Sequence, residues 1–398
     1  MRRNIVLGRI ELLRECNERI IWYIPLIVLC VLTPASLTHF IPGLTYLCFF
    51  CYFFLTIYLL LNKKIIVTPF IQLLLLFQLV FIISDILNYS TFFYHTRYLF
   101  INLFPCLYFT GCKNEKQKRA YLYSVIVSLR YLLILQLLSK LFFPQGLYDN
   151  NLIYAIEQYF LENDNSAMPF VYLLVVLSVY FKRFYSDTSY KPFFDLFLCF
   201  VLTYVSWSGT GIITMFLLLF SIIISNYPLK YNRSILVSLL VVIAVLFYDI
   251  VVNETSDIGM IRIISELLGK DISFSGRTYI WQQALSIISV HPIIGSGTSE
   301  LTRSILSLGG TSNMGAHNQI LQIVMEGGLL AAGALILLII ISIKINRKIV
   351  DDEYRKIIFF LYLCICAILV GMQMEIYTSG WILIYILAIS YTVNNRFN

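Results

Sequence analysis

Arg277 and His317 are residues whose types and positions could do chemistry. Ser275 can cap a helix running to Val290, with Gly276, Arg277 and Thr278 in its first turn. A guanidinium there adds planar, bidentate donors to the free amides of a helix N-terminus, a combination suited to phosphate. The bland reading is a solvated surface arginine. His317 lies in Gly315-Ala-His-Asn-Gln-Ile-Leu321, at the mouth of an apolar helix, with Asn318 beside it. Histidine is poised for proton transfer near neutral pH, and it can equally position a hydroxyl by hydrogen bonding. Glu326 follows on the same helix, about 13 Å deeper at 1.5 Å per residue. A carboxylate at that depth must face the protein interior or a cavity.

Other charges are embedded in apolar sequence. Arg130 lies midway along one such run and needs a counter-charge, either a carboxylate or a phosphate ligand. Arg97 stands at the mouth of another. Asp195 and Asp249 lie within runs, and Glu375 and Lys140 near the ends of theirs, where Lys140 can snorkel. Glu162 and Asp164 have the spacing of a short acidic metal motif, but two carboxylates are more often a solvated turn. There is no Walker loop, GxSxG elbow, HExxH or Cys-His ligand set, so ATP-driven, hydrolytic and zinc chemistry have no visible residues, and neither a metal nor a cofactor is expected. The pair Cys48 and Cys51 sits in a greasy stretch and reads as packing.

These residues must be held by membrane helices. The 398 residues are 59% apolar and 13% charged, and mean hydropathy is +0.81; soluble domains are about 25% charged. That excludes an ordinary soluble enzyme, a disordered chain and a nucleic-acid binder. About twelve stretches have spanning length, near 20–38, 41–61, 65–87, 98–112, 120–143, 165–181, 191–207, 209–226, 234–252, 317–343, 357–375 and 377–394. The fold class expected is therefore an all-α polytopic membrane protein, a single integral membrane domain over 1–398. With the N-terminus inside, 22 of the 29 Lys and Arg fall on the inner side and 5 on the outer, leaving Arg130 and Lys140 within a span. This puts both termini in the cytoplasm and explains the net charge of +7 without a polyanionic partner.

Two outer connections are long: 144–164, and 253–316 between the ninth and tenth spans. The second is expected to be folded against the outer face. Residues 258–268 form an amphipathic helix lying on the membrane surface. In the helix ending at Val290, Ile280, Trp281, Ala284, Leu285 and Ile288 form the buried stripe. Pro292 ends it, and Pro292-Ile-Ile-Gly295-Ser-Gly297 makes a tight turn with no dinucleotide fingerprint.

Together, Ser275-Gly-Arg277-Thr-Tyr-Ile-Trp281, Pro292-Ile-Ile-Gly295-Ser-Gly297, His317-Asn318-Gln-Ile-Leu321 and Glu326-Gly-Gly328 resemble the O-antigen polymerase and ligase superfamily. Asn165-Ser-Ala167 is similar to the family's entry to the sixth span. The resemblance covers about residues 160–330. It implies a multi-span glycosyltransferase that moves a glycan from an undecaprenyl-diphosphate carrier to an acceptor at the outer face of the bacterial inner membrane, without metal. It assigns catalysis to Arg277 and His317, and leaves Arg130, Arg97, Asn165, Asn318 and Glu326 as candidate substrate-binding residues. The partners implied are the lipid-linked oligosaccharide and membrane lipid, with a chain-length regulator as a further candidate. One departure stands out. The family often carries an Arg after a Ser near the outer end of the seventh or eighth span, and here Ser206-Trp-Ser-Gly-Thr-Gly211 has none.

A polymerase of repeat units is the favoured reading. A ligase that transfers finished glycan to lipid A core shares the motifs. A twelve-span secondary transporter is the alternative of a different class, disfavoured because the largest loop is outside and late rather than between two six-span halves.

Overall fold

Long apolar runs leave the backbone in lipid no partner but itself, and helices satisfy it. The computed structural model of the protein describes residues 35–41, 43–61, 66–90, 93–111, 115–148, 157–161, 163–186, 190–226, 238, 277–298, 315–346, 349, 351–374 and 380–393. They form α1 (Ala35–Phe40), α2 (Leu44–Leu61), α3 (Pro69–Leu87), α4 (Phe93–Gly111), α5 (Glu115–Phe142), α6 (Asp164–Phe184), α7 (Phe193–Ser206), α8 (Gly209–Ile224), α9 (Arg277–Val290), α10 (Gln319–Asn346), α11 (Asp352–Met374) and α12 (Gly380–Thr392). Among these residues there is no strand, only an isolated bridge between Tyr148 and Gln158. Among the described residues, five helices are long and apolar enough to cross a membrane: α3, α5, α6, α10 and, over Asp352–Gly371, α11. Shorter apolar helices accompany them. The protein is an all-α polytopic membrane protein. Nearly all of the expected stretches at 234–252 and 20–38, the surface helix expected at 258–268, Glu162, Asp249 and Glu375 lie outside the described residues.

Local signals set the helix ends. Thr68 caps α3, its hydroxyl accepting from Ile71 N–H at 3.4 Å, and Pro69 takes the first helical position, where its missing N–H costs nothing. Asn163 caps α6 by accepting from the amides of Asn165 and Ser166 at 3.1 and 3.0 Å. Ser208 caps α8, and Trp207, in the left-handed region, makes the tight corner from α7. α6 is apolar on every side, and Val171 through Phe181 are all buried, as a central helix requires. It packs against α5, α7, α8 and α11. A second group forms around α10, which lies against α3, α9, α11 and α12.

The described residues between α5 and α6 are tied to α5. Gln136 and Ser139 of α5 accept from the amides of Leu161 and Phe160 at 2.6 and 3.1 Å. Tyr159 donates to the carbonyl of Pro144 at 3.1 Å. Desolvation and the nearby carboxylates of Asp164 and Glu157 push its phenol up, so it remains a neutral donor.

Candidate active site

The expected helix after Ser275 is α9, and its buried side is the expected one. Ile280, Trp281, Ala284 and Ile287 share a buried cluster with Ala316, Leu321 and Met325, and Leu285 and Ile288 pack on it. The turn after α9 meets α10 at Met325–Leu330, the far end of that cluster. α9 therefore runs beside the first half of α10 in the same direction, and Arg277, its first residue, lies at the end where His317 lies. α9 thus packs along the first half of a helix that is long and apolar enough to cross a membrane.

α10 is broken where the turn arrives. Gly328 has φ +65° and ψ −168° inside it. A broken helix exposes amides and carbonyls that lipid cannot satisfy, and the turn satisfies them. Leu329 and Leu330 amides donate to the carbonyls of Pro292 and Ile293 at 2.8 and 3.1 Å. The carbonyls of Met325 and Glu326 accept from Ser296 and Gly297 amides at 2.8 and 3.1 Å. The fit admits no side chain: a Cβ on Gly295 would lie 2.5 Å from the Glu326 backbone. The end of α3 clamps the turn from behind. Buried Asp85 accepts from the Thr298 amide and hydroxyl at 2.8 and 2.9 Å, and Asn88 Nδ2 donates to the Gly295 carbonyl at 3.1 Å.

His317 sits in the turn that opens α10, half-buried, with φ +47°. Left-handed backbone at a residue other than glycine is held only where its surroundings impose it, and such residues cluster at functional sites. Asn318 caps α10, Oδ1 accepting from Ile320 and Leu321 amides at 3.0 and 3.1 Å. Its Nδ2 is fully buried and has no partner among the described residues. Glu326 is buried at the break and accepts from Gln322 Nε2 at 2.6 Å.

The remaining sequence candidates lie elsewhere. Arg130 pairs with Asp195 through Nε at 2.5 Å and Nη2 at 2.9 Å. Asp195 is wholly buried and also accepts from Ser178 at 3.2 Å and from Tyr190. The counter-charge the sequence left open is thus a carboxylate of α7. Lys140 pairs with Asp164 and reaches Ser206 Oγ at 3.4 Å, ten residues or about 15 Å further along α5. That cluster adjoins the N-termini of α6 and α8, and Gly211 of α8 faces Met168 of α6. Gly371, near the end of α11, faces Thr214 of α8, and α11 returns antiparallel to α10. The N-termini of α6, α8 and α10 therefore share one end of the bundle, and Arg130 lies toward the other. Asn165 is half-buried at the α6 N-terminus, next to Asp164. Arg97 lies in α4; its side chain, like that of Arg277, is outside what the structure describes.

The pairing of Arg130 with Asp195 has a direct test. Arg130→Met strands a buried carboxylate and is expected to cost about 3–5 kcal/mol of stability. Adding Asp195→Asn removes that charge, keeps acceptors for Tyr190 and Ser178, and should restore most of the thermal stability together with activity per folded molecule. A double variant that melts normally yet is inactive would place Arg130 in substrate binding.

Asp85, Asn88 and Gln322 escaped sequence reading, and Gly328 was read as part of a motif but not as a break. A carboxylate inside an apolar run was a usable signal for Asp85, and a Gly-Gly pair in mid-span for the break.

A multi-span membrane protein with a broken helix, a companion helix beside it and a histidine at their common mouth defines a class in which one loop and one span build the site together. Residues 194–336, from α7 into the second half of α10, match the O-antigen ligase family. The chain is similar to the O-antigen polymerase and ligase superfamily, and the matched segment contains α9, the turn, His317 and the break. It is also 27% identical over 107 residues to the exopolysaccharide production protein ExoQ of Rhizobium meliloti (strain 1021), covering 24% of this chain. The match spans 25% of that relative's length. No solved structure matches the chain.

Proposed function

We propose that the protein is a glycosyltransferase that polymerises lipid-linked oligosaccharide repeat units, taking glycan from undecaprenyl diphosphate at the outer face of the bacterial inner membrane. The observation that carries this reading is the side-by-side, same-direction arrangement of α9 and the first half of α10. Two helix N-termini then open together, each worth roughly half a positive charge, with Arg277 on one and the His317 turn on the other. Cleaving a glycosyl–diphosphate bond builds negative charge on the leaving phosphate, and preorganised positive charge and N–H donors are the strongest lever on that step. Arg277 supplies the planar fork, and His317 takes the proton of the acceptor hydroxyl. Asn318 Nδ2, buried without a partner among the described residues, is a donor available to substrate. Arg130 takes no part, being engaged with Asp195.

Both termini are assigned to the cytoplasm, with the mouth of α10 outside, from the distribution of Lys and Arg. Transfer to lipid A core is the second reading, favoured by the description of the matched family, whereas the exopolysaccharide relative favours polymer.

Reconstitution with a lipid-diphosphate-linked repeat unit tests the proposal. A ladder of longer products is expected, undiminished by chelator. Arg277→Lys keeps the charge but loses the bidentate fork, and should cost at least about tenfold in rate. A single transfer to lipid A core would establish the ligase. Saturable proton-coupled solute flux into vesicles without any transfer would overturn the enzyme reading, and chelator-abolished activity restored by a divalent ion would overturn the metal-free mechanism.

A further inference from the structure

We infer that Gln322 and Glu326 form a positioning relay that sets the backbone of His317. The inference rests on the reading of His317 as the catalytic base. Asn318, Gln322 and Glu326 occur at every fourth position of α10 and are all buried, so they share one stripe of the helix. Gln322 Oε1 accepts from the Ala316 amide at 2.6 Å. Its Nε2 donates to Glu326 Oε1 at 2.6 Å. A primary amide has an acceptor end and a donor end, and the Glu326 carboxylate can only accept from it. Glu326 therefore fixes which end of Gln322 faces the helix mouth, and the oxygen is the end that can take the Ala316 amide. That bond holds the residue before His317, and the Asn318 cap holds the residue after it. Pinned on both sides, His317 is kept in the left-handed region at φ +47°, which a free histidine seldom occupies. The relay also joins the mouth of α10 to its break, because the Glu326 carbonyl accepts from the Gly297 amide.

Gln322 and Glu326 are thus positioning residues and need not touch substrate. Misplacing a catalytic group by about an ångström can cost on the order of a hundredfold in rate.

The test is a swap of the two side chains, read as kcat and KM in the reconstituted full-length protein, with thermal stability measured alongside. Glu326→Gln keeps an acceptor for Gln322 and should lose little, no more than about threefold. Gln322→Glu sets two carboxylates against each other and should lower kcat by about ten- to a hundredfold with KM nearly unchanged. Combining Gln322→Glu with Glu326→Gln restores the chain in reverse. The carboxylate introduced at position 322 accepts both from the Ala316 N–H and from the amide introduced at position 326, and kcat should return to within about threefold of the original. Failure of the double variant to recover, at normal thermal stability, would overturn the relay. Gln322→Leu combined with His317→Asn separates the relay from the reading it rests on. If the relay acts through the imidazole, Gln322→Leu lowers residual activity far less in the His317→Asn protein than in the original. An equal loss in both backgrounds overturns the relay while leaving His317 catalytic. Full activity of the single variant His317→Asn would instead overturn the role of His317 itself.

Discussion

His317→Asn is expected to abolish polymer formation, with a loss of at least about a hundredfold, the usual contribution of a positioned acid or base, while the protein accumulates in the membrane and melts as before. Asparagine is the informative replacement. His317 lies at φ +47°, and alanine there would add backbone strain of about 1–2 kcal/mol, confusing loss of the base with loss of the turn. Asparagine tolerates that conformation and has no proton-accepting ring nitrogen. The unsubstituted protein should also lose activity as acid protonates the imidazole. Measuring transfer rate and melting temperature on one preparation checks the expectation, and near-normal polymer from the asparagine variant would remove His317 from the mechanism.

The second large effect is structural. Gly328→Ala should destabilise the protein by roughly 2–5 kcal/mol, from left-handed strain together with overpacking. Its Cβ would lie 2.1 Å from the Ile293 carbonyl oxygen, and the backbone that receives the Leu329 and Leu330 amides would have to move. Gly333 of the same helix is the matched control, because a Cβ there meets nothing within 4 Å; Gly333→Ala should be neutral or slightly stabilising. Comparing membrane levels and melting temperatures of the two variants decides the matter. Equal behaviour would mean that the break contributes nothing to stability.

What could be read in the sequence was what neighbouring residues determine. The stripe Ile280, Trp281 and Ala284, the stop at Pro292 and the turn glycines 295 and 297 are local patterns, and α9 with its turn follows them. The His317-Asn318 opening was legible because it stands where an apolar run begins. The break at Gly328 was not, since an apolar helix with two glycines reads as continuous, and the groups that hold it open come from Pro292–Gly297, some thirty positions away. Nor could the partner of Arg130 be chosen. Asp195 is 65 positions distant, and several carboxylates were equally eligible until helix packing selected one. Nor does amphipathicity give the direction of α9: it says that one face is buried, not which neighbour covers it.

The same-direction pairing of α9 with α10 constrains how the chain is assembled. α9 leaves the ribosome before α10 exists, and with Gln282 and Gln283 at its centre it is a poor candidate for spontaneous insertion. The carbonyls of Pro292 and Ile293 have no amides to receive, and the Ser296 and Gly297 amides no carbonyls to meet, until Met325–Leu330 has been made and folded. The bonds between the turn and α10 therefore close only after the later helix is in place. Docking of α9 is consequently a late step of assembly, in which a helix and its following turn are completed by a partner synthesised after them.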